Sequence, residues 1–415
     1  MFFFYNLITI FLYPFLIFLF FVRKFLKKES SDSLIDKLTL SRATGNKKRK
    51  KLIWFHAASI GEVQSIIPLV SKFYSSYNDL NFLITTSTIS SGKIVKKKIK
   101  DLDRANHKYL PLDISFLVNS FLNNWSPSLA VFVDSEIWPN FLSNIKKRNI
   151  PLILVNGRIT PKTYKKWKMV NFFSKRIFKL FDLCLPCSEE SLNYLVGLKT
   201  NNVKYFGNLK YSVEIKSEKL NEHNLSILKK KKVWCAASTH DGEENICLKV
   251  HNKLIKKYKN LMLIIIPRHI VRVNSILKDI YALNLKPHLH SNKGETDPKT
   301  NVYLVDTYGE TELFFNLCKN VFIGKSLTAF GGQNPLEPAR HNCSIIHGPN
   351  VSNFTEIYEF LDKKKISIKV KNESQLYSKI YKLIGRKNSV NIKDKINFIG
   401  LKILNKNLME IKSLI

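Results

Sequence analysis

The chain has 415 residues, 67 Lys and Arg against 32 Asp and Glu, and a formal net charge of +35. At ~100–200 residues per domain this length gives two domains, or three small ones, and a composition of 45% hydrophobic and 12% aromatic residues excludes global disorder. Six irregularly spaced cysteines exclude a disulfide scaffold and fit a reducing compartment, while the basic surplus calls for an anionic partner: nucleic acid, acidic lipid headgroups or phosphorylated small molecules.

An apolar run of 21 positions, residues 2–22, comes first and is broken only by Tyr5, Asn6, Thr9, Tyr13 and Pro14. As a helix rising ~1.5 Å per residue it extends about 32 Å, enough for a ~30 Å hydrocarbon core. No Lys or Arg precedes the run and no small-x-small cleavage site follows it, which favours an uncleaved anchor over a signal peptide. Residues 23–51 carry 11 basic and 3 acidic side chains, so the positive-inside rule places the remainder in the cytoplasm. Pro14 and Asn6 leave two seats compatible, a full span or a tilted position in one leaflet.

Apolar runs at 52–56, 82–85, 129–133 and 152–155 have the length and composition of buried strands, and residues 62–74, 114–124 and 137–147 between them have helical spacing. Strands buried on both faces and alternating with helices predict a parallel, doubly wound sheet. The pattern fades between 207 and 230 and restarts with runs at 233–237, 261–266, 302–305, 321–323 and 344–346. The expectation is therefore an α/β protein: an anchor at 1–24, a first Rossmann-like domain at 50–206, a second at 207–390 joined near 207–225, and a helical tail at 391–415. Ligands of such sheets bind beyond the carboxyl ends of the strands.

Polar clusters stand at those ends. Gly61 and Glu62 follow the first run; Glu62 suits a helix-start acid as well as a catalytic one. Asp134 and Glu136 follow the third, as acid/base candidates or as a plain cap. Residues 162–180, with seven basic and no acidic side chains among Trp167, Phe172, Phe173, Ile177 and Phe178, read as one helix, either interfacial to a membrane or packed on the domain. Cys184 and Cys187 have redox or zinc spacing but no second pair, and a structural role is expected. In the second half, 238–244 (STHDGEE) offers hydroxyls and helix-start amides to a phosphate, or is a capping box. Arg268 ends the most hydrophobic run as a cation for an anionic ligand. Gly331 to Glu337 is a loop that closes over a nucleotide or a Gly-rich turn into a helix. Gly324-Lys325-Ser326 lacks the upstream glycine of a P-loop.

Taken in order, HAASIGEV (56–63), YLPLD (109–113), SEIWPN (135–140), NGRIT (156–160), GNLKYS (207–212), ASTHDGEE (237–244), PRH (267–269), DTYGE (306–310) and GGQNPLEPA (331–339) make the chain resemble the Kdo (3-deoxy-D-manno-octulosonic acid) transferases, from the anchor to about residue 360. The resemblance implies a GT-B-type fold of two doubly wound Rossmann-like domains with an N-terminal membrane-anchor helix, held at the cytoplasmic face of the inner membrane. It implies inverting transfer of Kdo from CMP-Kdo, bound by the second domain, to lipid IVA, bound by the first, with no metal or other cofactor. Glu62 falls on the family's catalytic base. Lys210 and the acid before Trp138-Pro139 fall on its transition-state residues; the family's Glu-Thr-Glu is here Asp134-Ser135-Glu136, one methylene shorter at the first acid. The CMP contacts fall on Pro267, Arg268, Tyr308, Gly309, Glu310, Asn334, Pro335, Leu336 and Glu337. Gln333 stands for a common His and Lys325 for a common Gly, which changes the loop's fine geometry. Both substrates and the membrane surface are anionic, in keeping with the charge. Another nucleotide-sugar enzyme of this fold acting on a membrane lipid is the competing expectation. A nucleic-acid binder is disfavoured, because the basic residues are spread along the whole chain without a recognisable module.

Overall fold

The computed structural model describes residues 2–40, 51–213, 220, 222–229, 231–292, 297, 299–384 and 391–415. Of the basic run after the anchor, Arg42, Lys47, Lys48, Arg49 and Lys50 lie outside the described residues, as do residues 214–219 and 221 of the expected linker. The chain divides into two compact units, one of Met1–Val213 with Ile399–Ile415 and one of Glu214–Phe398.

Unit 1 begins with α1 (Phe2–Phe25) and α2 (Ser31–Leu38) and builds a six-stranded parallel sheet. Its strands are β1 (Lys51–His56), β2 (Leu80–Thr86), β3 (Ala105–Tyr109), β4 (Leu129–Val133), β5 (Leu152–Gly157) and β6 (Leu183–Pro186), in the order β3-β2-β1-β4-β5-β6. Side chains alternate between two helical layers: Ile53, Phe55, Val131, Val133, Ile153 and Val155 enter one core, and Trp54, Ala130, Phe132, Leu152 and Leu154 the other. Burial on both faces is why these strands read as unbroken apolar runs; each large side chain so buried contributes ~1.5–3 kcal/mol. β3, with sequence ANHKY, has one buried residue and no apolar run to reveal it.

Unit 2 has a seven-stranded parallel sheet of β7 (Lys232–Thr239), β8 (Leu261–Pro267), β9 (Pro287–Leu289), β10 (Val302–Leu304), β11 (Asn320–Ile323), β12 (Ser344–His347) and β13 (Ser367–Lys369), in the order β13-β12-β11-β7-β8-β10-β9. The sequence order reverses at β1/β4 in unit 1 and at β7/β11 in unit 2, and ligands of doubly wound sheets sit at such points.

Two expected boundaries move. Residues 207–213 belong to unit 1, because Leu209 is fully buried in its core and its amide donates to the Asn156 Oδ1 at 3.0 Å. The tail is helical as expected, over Lys393–Lys412, but from Ile399 onward it belongs to unit 1, where Ile403, Leu404 and Ile411 complete the core. At Gly400 a Cβ would fall on the Tyr211 carbonyl oxygen, a backbone atom with no rotamer to yield. Gly400→Ala is expected to destabilise unit 1 by about 1–3 kcal/mol, read as an earlier denaturant midpoint; an unchanged midpoint would show that the helix slides freely.

The basic segment at 162–180 is two helices, Pro161–Met169 and Asn171–Phe178, broken at Val170. Most of its apolar side chains face inward. Ile177 and Phe178 are buried, and Trp167 packs edge-on against Phe178 at 5.4 Å between centroids. Met169, Val170 and Phe172 remain exposed at the break.

Candidate active site

The carboxyl ends of β1, β4 and β5 gather the titratable groups of unit 1. After β1 the chain turns into α3 (Ile60–Ser76), with Ser59 as its N-cap and Glu62 in its first turn. The Glu62 carboxylate accepts from the Ala58 amide at 2.8 Å and the Ser59 hydroxyl at 2.6 Å, so it serves the helix start as the sequence allows. Capping does not exhaust it. Burial, assisted by the charges of Glu136 and Asp134, outweighs those two bonds and raises its pKa to about 7. Among the described residues it has no ion-pair partner within 4 Å, and a Cβ placed on the adjacent Gly61 would meet nothing within 4 Å, so the backbone there borders open space.

Glu136 is held differently. Its Oε2 lies 2.8 Å from the Trp138 Nε1 donor and 3.2 Å from the His56 Nε2. Trp54 Nε1 donates to the Thr85 Oγ1 at 2.9 Å, and that hydroxyl lies 3.0 Å from the His56 Nδ1. Nε2–H faces the Glu136 carboxylate as donor, and Nδ1 lies between the Thr85 hydroxyl and, at 3.2 Å, the Thr85 carbonyl oxygen. Burial alone would raise the Glu136 pKa, but the His56 and Trp138 contacts prevail and lower it. Two carboxylates at one switch point therefore titrate apart, which is how acid and base roles are divided between like groups.

Asp134 sits in the left-handed backbone region at φ 62°, its Oδ1 3.8 Å from the Arg158 Nε. Burial raises its pKa against the opposing charges of Arg158 and Lys210. Lys210, in the 3-10 turn Leu209–Ser212, has its pKa lowered by burial, while Asp134, Cys187 and Glu62 oppose the shift. All four expected catalytic residues thus interact electrostatically. His56, Asn156 and Arg158 join them; they lay inside the quoted motifs, at the ends of β1 and β5, and only strand order makes them neighbours.

In unit 2, the 238–244 segment brings a carboxylate of its own to backbone amides. The Glu243 carboxylate accepts from the backbone amides of His240 at 2.9 Å, Lys325 at 2.7 Å, Ser326 at 2.9 Å and Leu327 at 2.9 Å. One of these amides, that of His240, lies within 238–244, and the other three come from the turn after β11. A Cβ on Gly324 would come within 2.5 Å of the Ser238 carbonyl oxygen and 2.7 Å of the Glu243 Oε2, so the plug depends on glycine there.

The donor-contact candidates divide by exposure. Arg268, following β8, is exposed, and its charge acts on Glu337 and His240. Burial raises the Glu337 pKa, with Glu312 adding to the effect and Arg340, Asn334 and Arg268 opposing it. Asn334 lies 3.5 Å from the Glu337 Oε1 and accepts from the Leu336 amide at 3.2 Å. Pro267 and Leu336 are buried. Pro335 precedes the five-residue helix Leu336–Arg340 as its N-cap, one place earlier than its expected first helical position. Tyr308 is exposed beside Gly309, with its hydroxyl accepting from the Ile270 amide at 3.4 Å. Glu310 is engaged within the unit by Thr307 and by His290 at 3.2 Å. All six cysteines are free and buried, Cys184 and Cys187 among them. Among the described residues no cluster of three or more His, Cys, Asp or Glu side chains could hold a metal.

The family model described as 3-deoxy-D-manno-octulosonic-acid transferase (kdotransferase) matches residues 34–213. A 3-deoxy-D-manno-octulosonic acid transferase of Rickettsia felis is 34% identical over 370 residues, 88% of this chain and 78% of that one. Its counterpart in Rickettsia bellii is 33% identical, covering 94% and 92%. The chain belongs to the Kdo transferase family. It is accordingly a glycosyltransferase, and the two doubly wound sheets bear out the expected GT-B-type fold. A solved glycosyltransferase from Rickettsia africae shares that fold at a TM-score of 0.58, with 12% identity, 88% of this chain and 99% of that one covered. For this Kdo transferase, the YLPLD and SEIWPN motifs take on a structural meaning that sequence reading missed. Asp113 accepts from the Asn140 and Phe141 amides at 3.1 and 2.8 Å and anchors the start of the helix Pro139–Lys147, just downstream of Glu136.

Proposed function

We propose that the protein transfers Kdo from CMP-Kdo to the lipid A precursor lipid IVA with inversion, at the cytoplasmic face of the inner membrane, where α1 anchors it. The observation that carries the reading is Glu62: a half-buried carboxyl at a switch point, with a pKa raised to about 7, no ion-pair partner within 4 Å among the described residues and open space beside it. A general base works best with its pKa near the working pH. In the proposed step Glu62 takes the proton of an acceptor hydroxyl. The hydroxyl oxygen bonds to the anomeric carbon as the bond from that carbon to the CMP phosphate oxygen breaks, and CMP leaves with the electron pair. One displacement gives inversion. Arg268 and Lys210 are assigned to the negative charge growing on CMP. Pro267, Tyr308, Gly309, Glu310, Asn334, Pro335, Leu336 and Glu337 are assigned to the donor. Neither a metal nor another cofactor is asked for. The His240 amide, already engaged by Glu243, is removed from the donor's contacts.

Mass spectrometry of lipid IVA incubated with the protein and CMP-Kdo tests the reading. Product heavier by whole Kdo units is expected, and excess UDP-sugar should not compete. Transfer from a UDP-sugar and none from CMP-Kdo would assign the protein a different donor. Turnover on lipid-embedded acceptor is expected to fall as salt rises, since a Debye length of ~10 Å at 0.1 M screens the exposed cations; salt-independent turnover would remove surface charge from substrate recruitment.

A further inference from the structure

A length of 24 residues and an apolar composition qualify α1 to cross a bilayer, yet its contacts run along its whole length. Phe2, Tyr5, Thr9, Tyr13, Phe20 and Arg23 recur at three, four or seven residues and so share one face, and each meets unit 1. Phe2 packs on Phe173 at 5.4 Å, and the Tyr5 hydroxyl donates to the Asp113 Oδ2 at 2.9 Å. Asn140 donates to the Thr9 hydroxyl at 3.2 Å. Tyr13 stacks edge-on against Phe116 at 5.1 Å and donates to the Leu38 carbonyl. The Lys37 ammonium lies 5.2 Å from the Phe20 ring and pairs with Glu29, which also pairs with Arg23 at 3.2 Å. Among the described residues the opposite face is unpartnered: Phe4, Phe11, Phe15, Phe18 and Phe25 are 65, 86, 62, 67 and 93% exposed.

A helix that crossed the bilayer would have to leave this seat, taking three hydroxyls into hydrocarbon and stripping Tyr5 from Asp113, or else drag the Asp113 and Asn140 surface in with it. Unpaired polar groups are costly there. A phenylalanine face opposite a docked polar stripe, with Arg23, Lys24, Lys27 and Lys28 at its end, matches a helix lying in the headgroup–acyl boundary. Beside its amino-terminal end, next to Phe173, stand the exposed Met169 and Phe172 among Lys166, Lys168 and Arg176. The basic flanks complement an anionic lipid surface.

Resting on the reading of α1 as an anchor, we propose that α1 does not span the membrane. It lies in the plane of one leaflet, fastened to unit 1 by Tyr5–Asp113, Thr9–Asn140 and Tyr13–Leu38, with its phenylalanine face sunk ~5–10 Å into the lipid and both of its ends on the side of the catalytic units.

The test uses the full chain with an environment-sensitive fluorophore on a cysteine introduced singly by Phe4→Cys, Phe11→Cys or Phe18→Cys; the buried native cysteines serve as the unlabelled background. Vesicles of phosphatidylethanolamine and phosphatidylglycerol carry quenchers at defined depths. An in-plane helix gives the same shallow depth at all three positions, and Lys24→Gln and Lys28→Gln each weaken vesicle binding about fivefold. A label at position 11 near the bilayer centre, with positions 4 and 18 shallower, overturns the in-plane seat and leaves the anchor reading standing. No vesicle binding by the unlabelled protein overturns the anchor reading itself. Labels already shielded without lipid, together with a doubled mass, would give the face to a second copy and overturn the proposal.

Discussion

Glu62→Gln is expected to lower kcat for Kdo transfer by about 10²–10⁴-fold, the range of a lost general base, with a much smaller change in KM for CMP-Kdo. Glutamine keeps the size of the side chain and can still serve the Ser59 and Ala58 contacts, so α3 should start where it does now. The wild-type rate should rise with pH through about 7, because only the ionised carboxylate accepts a proton and its pKa is raised to that value. The variant's residual rate should lack that rise. Stability gives an independent readout. A carboxyl whose folded pKa lies above its unfolded value of 4.5 favours the fold below pH 4.5 and loses that contribution as pH climbs through about 7. At pH 8 the variant, free of a buried negative charge, is expected to melt higher than the wild type, and below pH 4.5 the difference should vanish. A variant with wild-type kcat and an unchanged pH profile would leave Glu62 as a helix cap only.

Glu243→Ala is expected to be the most damaging single change to unit 2. Its carboxylate satisfies four backbone amides from two separate turns, His240 after β7 and Lys325, Ser326 and Leu327 after β11. Removing the acceptor orphans them together, at ~1–3 kcal/mol for each group left unsatisfied. Against a net stability of ~5–15 kcal/mol, a loss of about 4 kcal/mol or more brings unit 2 close to unfolding, read as a large fall in urea midpoint. Glu243→Gln, which keeps an acceptor oxygen, should lose less. An alanine variant within about 1 kcal/mol of wild type would show that other groups or water take over the amides.

The central strands were legible because their burial on both faces leaves unbroken apolar runs, as in Leu129–Val133 and Leu261–Pro267. Edge strands were not: β3 is half-exposed and polar, and β9 and β13 are three residues long. Glu62, Asp134, Glu136 and Lys210 could be named from motifs, but their grouping depends on β1 and β4 pairing across the switch point, a long-range contact without local signature. The same limit hid the Glu243 plug. Gly-Glu-Glu after a strand reads equally as a vacant anion site and as an occupied one until β11 is seen to bring its amides alongside. The break at Val170 escaped because basic and aromatic residues on either side share one helical period, while Trp167 and Phe178 turn toward each other only once the core is formed.

The return of Ile399–Ile415 to unit 1 makes unit 2 an insertion within its host. On the ribosome, everything needed for the inserted unit through Phe398 emerges before Ile403, Leu404 and Ile411 can reach the hydrophobic layer they complete. The host sheet therefore waits, unfinished, until residues 399–415 have been made, and a nascent chain stopped after Val213 would present that greasy layer uncovered to chaperones.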